Sequence, residues 1–131
     1  TAKIIPFIDK KFISFSYRTP MDIVTSADLL INVKKNINLN KLKLYLEKKV
    51  KNSKFVSINT ESLVSRDFIK NESSCIIDLN WLKVNLNTIK LIAWYDNEWA
   101  YSKRILDLVC FLRPLAVLLI GGKAITPRFA L

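Results

Sequence analysis

The sequence predicts an α+β fold in which a largely antiparallel or mixed sheet is combined with two main helices. Two observations lead to this prediction. Several short segments have the apolar pattern of strands, and two longer segments repeat their apolar residues at helical spacing. The two kinds of segment do not follow the regular β–α–β alternation that builds a parallel sheet. With 131 residues, half of them hydrophobic, the chain is one domain or part of one.

The predicted elements follow from these patterns in chain order. Apolar and polar residues alternate over residues 12–18 and again over residues 27–34, which is typical of half-buried strands. A helix is predicted near residues 39–51, where Leu42 and Leu46 belong to a repeat at helical spacing. Further short strands are predicted at residues 55–58, 74–78, 81–86 and 88–95.

The last predicted helix runs from Tyr101 to about Leu112. Its apolar stripe is formed by Ile105, Leu108, Val109 and Leu112. An apolar stretch follows it in the sequence. Because Asp107, Arg113 and Pro114 interrupt the hydrophobic residues, neither apolar run approaches the roughly 20 residues that a membrane span needs. No membrane helix is therefore expected.

The composition excludes several kinds of chemistry. The chain contains no histidine, which removes Cys–His and Ser–His catalysis. Its two glycines are Gly121 and Gly122, so the sequence has no glycine-rich dinucleotide loop, and its turns must rely on Asn, Asp and Ser. Cys75 and Cys110 lie in apolar runs and are interpreted as buried structural thiols, since their spacing fits neither a disulfide framework nor a metal site. No catalytic or metal-binding residue is predicted.

The formal net charge of +10 is concentrated around the first predicted helix, where Glu47 is the only acidic residue. The lysines of this segment are Lys34, Lys35, Lys41, Lys43, Lys48, Lys49, Lys51 and Lys54. A solvated outer face is the main interpretation, and contact with nucleic acid or an anionic membrane is the alternative. The segment has no arginine and only Tyr45 as an aromatic, which argues against a platform that stacks bases. Nucleic acid is therefore not expected as a partner.

The most distinctive segment is IAWYDNEWAYS, residues 92–102, with two tryptophans, two tyrosines, two acids and an amide. It lies where a predicted strand leads into the last helix, a position at which α/β proteins often place ligand contacts. The string closely resembles the WYDNEWGYS signature of phosphorylating glyceraldehyde-3-phosphate dehydrogenases. Further resemblances to that family follow the family's order and lie in residues 3–29, 61–68 (ESLVSRDF), 73–78 (SSCIID) and 90–108.

The resemblance implies that residues 1–113 are the C-terminal portion of a glyceraldehyde-3-phosphate dehydrogenase-like catalytic domain, followed by an atypical apolar tail, residues 114–131. In this family the Rossmann domain that binds NAD or NADP, the nucleophilic cysteine and the histidine base all precede the matched region. Because this chain contains none of them, it is predicted to be inactive alone and to supply supporting parts. The chain begins at Thr1 rather than Met, and further sequence is expected upstream.

Three residues match functional positions of the family. Arg18 matches an arginine that helps to bind the substrate phosphate or inorganic phosphate, a task that suits the planar fork of a guanidinium. Asn97 matches the asparagine that hydrogen-bonds the nicotinamide carboxamide, and Tyr101 matches the tyrosine beside that pocket. If the resemblance is set aside, Arg18 is interpreted as a surface arginine, Asn97 as the N-cap of a helix and Tyr101 as a packed aromatic. Ala100 replaces a family glycine, which would strain the backbone if that position needed positive φ.

The resemblance also sets expectations for the complete enzyme. Its partners would be the remainder of the dehydrogenase chain and further copies in a homo-oligomer. Its cofactor would be NAD or NADP. Its compartment would be the cytoplasm or a plastid. The pathway would be glycolysis or the Calvin cycle. Erythrose-4-phosphate dehydrogenases resemble the chain as well, so the sugar substrate stays open. The alternative functions are a degenerate remnant and a basic module that binds polyanions.

Overall fold

The computed structural model describes residue 5, residues 11–20 and residues 23–119, the last six of them by backbone alone. The helices and strands of this part of the chain are β1 (Thr25–Asn32), α1 (Leu39–Val50), β2 (Val56–Asn59), β3 (Cys75–Asn85), β4 (Thr88–Tyr95) and α2 (Trp99–Leu119). A short 3-10 helix, Ser65–Phe68, lies between β2 and β3.

The four strands form one mixed sheet in the order β1-β4-β3-β2. Strand β4 pairs antiparallel with β1 on one side and with β3 on the other, while β2 pairs parallel with β3. The predicted α+β fold with a mixed sheet and two main helices is therefore confirmed.

Helix α1 covers one face of this sheet. It begins at an N-cap, Asn38, whose side chain accepts a hydrogen bond from the backbone N–H of Lys41 at 3.1 Å. Leu82, which is 1 % exposed, is the most buried residue of the apolar cluster beneath the helix. The remaining members of this cluster are Leu79 and Ile89, with partly buried Val33, Ile37, Leu39, Leu42, Leu46, Ile58, Ile77, Val84 and Leu91.

A second apolar cluster lies beside the junction of β4 and α2. Val24, Phe68 and Ile76 are buried there, and the ring of Trp94 stacks on that of Phe68 with centroids 5.4 Å apart and planes 20° from parallel. Val24 reaches this cluster with φ at 75°, a costly conformation for a β-branched residue. The cluster fixes the end of β4, from which α2 departs.

The prediction of a strand at residues 12–18 is wrong. This segment belongs to no strand, and Ile13, Phe15 and Tyr17 are 97 %, 78 % and 81 % exposed. Alternation alone does not form a strand, because the backbone needs a neighbouring strand to complete its hydrogen bonds. In the part of the chain that the structure describes, no strand pairs with this segment.

Two element boundaries also differ from the predictions. The strands predicted at 74–78 and 81–86 are one continuous strand, β3, whose pairing with β4 shifts register between Asp78 and Lys83. Helix α2 continues to Leu119, past the end predicted near Leu112. It thus crosses the predicted boundary before the apolar tail, residues 114–131, of which residues 120–131 lie outside the described residues. None of the described helices is long and apolar enough to cross a membrane.

The scarcity of glycine has a visible consequence in the backbone. The described residues with positive φ are Val24, Lys70 and Leu86, at 75°, 63° and 51°. The turns do rely on polar side chains as predicted, since Ser53, Asn59 and Asn71 each accept a hydrogen bond from the backbone N–H two residues on. The left-handed conformation itself falls on residues of other types. Each non-glycine residue in the left-handed conformation reduces the stability of the fold by about 1–3 kcal/mol, which the surrounding contacts must offset.

Candidate functional site

The candidate site lies at the N-terminus of α2, and Asp96 organises it. The Oδ1 atom of Asp96 accepts hydrogen bonds from the backbone N–H groups of Glu98 at 3.0 Å and Trp99 at 2.8 Å. Its own carbonyl accepts from the N–H of Ala100 at 3.1 Å, which starts the helical hydrogen-bond pattern. Asp96 is therefore the N-cap of the helix. The N-cap alternative for Asn97 is wrong, since its neighbour fills that position.

The second carboxylate oxygen of Asp96 ties the helix to the loop that follows the 3-10 helix. Its Oδ2 atom accepts a hydrogen bond from the backbone N–H of Lys70 at 2.8 Å. The backbone of Lys70, which donates this hydrogen bond, has a left-handed conformation. The Nζ atom of Lys70 lies 5.9 Å from the ring centroid of Trp99. The loop and the first turn of α2 are thereby held together at two points.

The environment of Asp96 acts on its ionisation in two opposite directions. The residue is 2 % exposed, and burial by itself raises the pKa of the carboxyl because the charged form loses water. The hydrogen bonds from the backbone N–H groups of Trp99, Lys70 and Glu98 stabilise the charge and outweigh that effect. The pKa of Asp96 is consequently held below its ordinary value of 3.8.

A shallow open pocket of about 280 Å³ lies against this helix start. Its lining residues come from the end of β4, the first turns of α2 and the loop before β3, and are Ser74, Tyr95, Asp96, Asn97, Ala100, Tyr101 and Arg104. Residues 97, 100, 101 and 104 share one face of the helix because they are spaced by three or four positions. The sheet and the helix therefore form two sides of the pocket.

Two of the predicted site residues, Asn97 and Tyr101, meet in this pocket. The Asn97 side chain is exposed, and its Oδ1 atom lies 3.5 Å from the Thr25 hydroxyl, at the limit of a hydrogen bond. No described residue accepts a hydrogen bond from its Nδ2 atom. Tyr101, one turn later, is 67 % exposed. The pocket thus has a free amide donor beside an accessible aromatic ring.

Arg104 joins this helix face to the sheet, and the sequence reasoning missed it. Its Nη1 atom donates to Ser74 Oγ at 3.0 Å and to the Glu72 carbonyl at 3.2 Å, while Nε and Nη2 donate to Asp107. The guanidinium also lies 4.9 Å from the ring centroid of Phe55. Its spacing could have identified it, because Arg104 lies three positions after Tyr101 and seven after Asn97 and so shares their face of the helix.

Ala100 fits its position without backbone strain. It lies within α2, is 4 % exposed, and does not have positive φ. The positive φ that would strain alanine at this departure from the family pattern is therefore not present, and the helical backbone accepts alanine better than glycine.

A buried pair supports the site from the sheet side. Asp78 is 1 % exposed, and its Oδ2 atom accepts a hydrogen bond from Trp94 Nε1 at 3.0 Å. Its Oδ1 atom accepts from the backbone and side-chain nitrogens of Asn80. The indole of Trp94 is thus fixed by a hydrogen bond at its edge and by Phe68 on its face, just before the capping residue.

The remaining candidate residues lie elsewhere. Arg18 is exposed in the segment 11–20, which belongs to no helix or strand, and it is not among the residues that line the pocket. Cys75 is half-buried, and burial raises the pKa of its thiol. Cys110 is exposed on α2, so the prediction that it is buried is wrong. Among the described residues, no group of His, Cys, Asp and Glu could hold a metal ion.

Comparison with known proteins assigns the chain to a family. A family model described as the C-terminal domain of glyceraldehyde 3-phosphate dehydrogenase matches residues 1–97. The chain belongs to the glyceraldehyde-3-phosphate dehydrogenase family. The resemblance inferred from the sequence motifs is thereby confirmed, and the match extends as far as Asn97 at the helix start.

Several dehydrogenases of this family are similar to the chain over most of its length. The glyceraldehyde-3-phosphate dehydrogenase of Omphalotus olearius is 35 % identical over 113 residues, and that of Pseudomonas aeruginosa is 34 % identical over 104 residues. The cytosolic enzyme of Gracilaria gracilis is 31 % identical over 116 residues. The matches cover 84 %, 79 % and 86 % of this chain but 34 %, 31 % and 35 % of the relatives. The chain therefore spans about a third of their length.

Proposed function

We propose that this chain is the part of an NAD(P)-dependent phosphorylating aldehyde dehydrogenase that contacts the nicotinamide and contributes to the phosphate site. The observation that carries the proposal is the accessible amide of Asn97 at a pocket beside the start of α2. Family membership supplies the reaction class, and the relatives named above are glyceraldehyde-3-phosphate dehydrogenases. We further propose that the complete enzyme is a homo-oligomer located in the cytoplasm or a plastid.

The pocket suits one ring of the cofactor. A nicotinamide carries a carboxamide, and the amide of Asn97 offers the matching donor and acceptor atoms. Tyr101 presents an exposed aromatic surface beside it. A volume of about 280 Å³ is at the lower limit for small-molecule sites, about 300–1,000 Å³, so the pocket accommodates a ring and not a whole dinucleotide. When bound, the nicotinamide supplies the hydride acceptor.

Asn97 is well placed to orient such a ring. The preceding residue, Asp96, is buried and held by three backbone donors, so the backbone that carries the amide is fixed. A fixed amide selects one orientation of the carboxamide and hence one face of the ring for hydride transfer. Tyr101 limits the access of water to that ring from the side of the helix.

Arg18 is proposed as a phosphate ligand. Its guanidinium is exposed, and a planar fork of donors matches two phosphate oxygens at once. Since Arg18 lies outside the pocket of Asn97 and Tyr101, the phosphate and the nicotinamide would be held by different parts of the chain.

The chain alone is proposed to be inactive. The reaction needs a thiolate nucleophile and a base, and the sequence has no histidine to act as one. Burial raises the pKa of Cys75, which lowers the thiolate fraction at neutral pH. An assay of the purified chain with glyceraldehyde 3-phosphate, phosphate and NAD or NADP should give no turnover. Phosphate-dependent reduction of either cofactor would contradict this part of the proposal.

The partner that completes the enzyme is proposed to cover the far part of α2. Residues 105–113, here called the uncovered end, expose a series of apolar side chains. These are Ile105, Leu106, Leu108, Val109, Phe111 and Leu112, which are 46–71 % exposed. Apolar side chains in such a row are typical of an interface. The remainder of the dehydrogenase chain is the occupant that the shorter length of this chain indicates.

A hybrid enzyme would test the role of Asn97. The chain would be fused to the N-terminal two thirds of the Pseudomonas aeruginosa relative, and activity with NAD and NADP would be measured. Replacing Asn97→Ala should lower kcat/KM for the cofactor about tenfold, which corresponds to the loss of one hydrogen bond of about 1.4 kcal/mol. The exposed Asn36→Ala is the matched control. Equal activity of the two variants would refute the assignment of Asn97.

A further inference from the structure

Arg104 lines the same pocket as Asn97, but its guanidinium is engaged within the chain. Its side chain is 24 % exposed, and every guanidinium nitrogen donates a hydrogen bond. Nη1 donates both to the Ser74 hydroxyl and to the Glu72 carbonyl, whereas Nε and Nη2 donate to Asp107. Nearly all of the N–H groups of the guanidinium are therefore used by the fold around the pocket and not by a ligand in it.

Asp107, one turn further along α2, orients the guanidinium of Arg104. Its Oδ2 atom accepts a hydrogen bond from Nε at 2.9 Å and lies 2.7 Å from Nη2. Two donors that share one carboxylate oxygen fix the plane of the guanidinium. With the plane fixed, Nη1 reaches the loop before β3.

The loop that receives Nη1 is itself held by hydrogen bonds. The backbone N–H of Ser74 donates to the Phe55 carbonyl at 2.8 Å, and that of Ser73 donates to Asn71 Oδ1 at 2.9 Å. The ring of Phe55 lies 4.9 Å from the Arg104 guanidinium, a cation–π contact. Arg104 thus attaches α2 to a fixed point, where β2 and β3 begin.

Helix α2 is therefore attached to the rest of the chain at two points along the pocket. Asp96 holds its start and Arg104 holds it eight residues later, about 12 Å further along the axis at 1.5 Å per residue. A helix that is held at one end only can turn about its axis and swing from that end. Asn97 and Tyr101 lie between the two points, so the second attachment sets the direction in which their face of the helix points.

We propose that Arg104 is a positioning residue, which holds α2 so that the amide of Asn97 meets the nicotinamide carboxamide in one orientation. This inference rests on the proposed function of Asn97. Groups that bind or orient a reacting ring must be held within about 0.5 Å of the productive geometry. Arg104 acts through Asn97 and does not itself contact the cofactor.

The positive charge of Arg104 is the competing explanation for an effect on cofactor binding, since the cofactor is anionic. The carboxylate of Asp107 already compensates this charge at 2.7 Å, which leaves little of it to attract an anion. A lysine at this position separates the two explanations. It keeps the charge, but its single ammonium does not reproduce the planar fork that reaches both Asp107 and Ser74.

The test uses the hybrid enzyme described above and measures KM for the cofactor, which does not depend on the fraction of enzyme that is folded. Arg104→Met, which removes the donors but keeps a long side chain, should raise this KM about fivefold. The effect should be smaller than that of Asn97→Ala, because a positioning residue acts only through the group that it positions. The KM for glyceraldehyde 3-phosphate should stay within about twofold. Arg104→Lys should resemble Arg104→Met.

The matched control is Lys103→Met, which loses the same charge and creates the same side chain one position earlier. Lys103 does not line the pocket, and its ion pair with Glu72 is exposed on both sides. The KM for the cofactor should change less than about twofold in this variant, as expected for a surface ion pair.

A double substitution tests whether Arg104 acts through Asn97. When Arg104→Met is added to Asn97→Ala, the KM for the cofactor should rise by less than about 1.5-fold, because no amide is left to be positioned. A role of Arg104 in the packing of the helix alone would add its full effect in both backgrounds.

A second measurement uses the 131-residue chain by itself and decides the matter if the hybrid is inactive. Nicotinamide mononucleotide is titrated while NMR follows the side-chain amide of Asn97. Arg104→Met should raise the half-saturating concentration about fivefold, and Lys103→Met should raise it less than about twofold. Circular dichroism verifies that each variant is folded.

Three results would overturn the inference while leaving the proposed function in place. They are equal effects of Arg104→Met and Lys103→Met, full recovery in Arg104→Lys, and a fivefold effect that persists in the Asn97→Ala background. A different result would refute the proposed function and this inference together. It is an Asn97→Ala variant that behaves like Asn36→Ala, or an Asn97 amide that does not respond to nicotinamide mononucleotide.

Discussion

The two ends of α2 differ in how the rest of the chain holds them. At the anchored end, residues 96–104, Asp96 caps the helix and binds Lys70, and Arg104 binds the loop before β3. At the uncovered end, residues 105–113, large apolar side chains are exposed. The contacts that fix the backbone at the pocket therefore lie within the described part of the chain. The difference teaches that neighbouring loops hold the first turns of α2, whereas the apolar side chains of its far end stay exposed to solvent.

Removing the cap should have the largest effect on the anchored end. Asp96→Ala leaves the N–H groups of Glu98, Trp99 and Lys70 without their acceptor, at a position that is almost fully buried. The free energy of unfolding should fall by about 2–4 kcal/mol, the combined loss of a cap and of a buried hydrogen bond. Urea denaturation measures it. The neighbouring Asn97→Ala should cost less than about 0.5 kcal/mol, and similar losses in both variants would contradict the assigned cap.

A second substitution compares arginines at the two ends directly. Arg104→Ala removes the hydrogen bonds to Ser74 and to the Glu72 carbonyl, and should reduce the free energy of unfolding by about 1–2 kcal/mol. Arg113→Ala removes the same side chain from an exposed position and should change it by less than about 0.5 kcal/mol. The same denaturation experiment measures both. If Arg113→Ala were as damaging as Arg104→Ala, the uncovered end would be packed after all.

The ionisation of Asp96 should make the anchored end sensitive to acid. Because its pKa is lower in the folded chain than its ordinary 3.8, the charged carboxylate stabilises the fold fully above that value. This contribution is lost as the pH falls through the lowered pKa. Stability measured between pH 6 and pH 2 should therefore decrease below about pH 4. In Asp96→Asn that decrease should be smaller, and an unchanged pH profile would show that other carboxylates cause it.

The smallest effect on stability is expected at the uncovered end. Leu108 and Phe111 are 55 % and 71 % exposed, so Leu108→Ser/Phe111→Ser should change the free energy of unfolding by less than about 0.5 kcal/mol. The same pair should reduce concentration-dependent self-association in sedimentation velocity, because apolar surface is removed. Leu82→Ala, in the core, should instead cost about 2–5 kcal/mol. A large loss from the serine pair would mean that this face is buried.

Much of the fold could be predicted because its patterns are local. The alternation over 27–34, the helical repeat of Leu42 and Leu46, and the apolar run at 88–95 correspond to β1, α1 and β4. The strand expected at 12–18 has an equally regular pattern but no pairing partner among the described residues. Periodicity states which face of a strand is apolar, and it does not state whether a neighbouring strand is present.

The candidate site could be predicted only in part, for a related reason. Asn97 and Tyr101 were found through a string whose spacing puts them on one helix face, and they do line one pocket. The roles of Asp96 and Arg104 depend on Lys70, Ser74 and other residues distant in sequence. A sequence pattern does not disclose such contacts, because they arise only when the loop before β3 folds against α2. Arg18 was assigned to phosphate binding through the family resemblance. It does not line the pocket, so this role stays a prediction.

The cap also affects how the WYDNEW string should change over evolutionary time. Asp96 stabilises the helix whether or not a cofactor binds, and Trp94 is held between Asp78 and Phe68. Selection for a folded chain alone would therefore retain these positions. Asn97 is exposed and makes one hydrogen bond at the limiting distance, so the fold places little constraint on it. In a lineage released from catalysis, the asparagine should drift first, while the aspartate beside it persists.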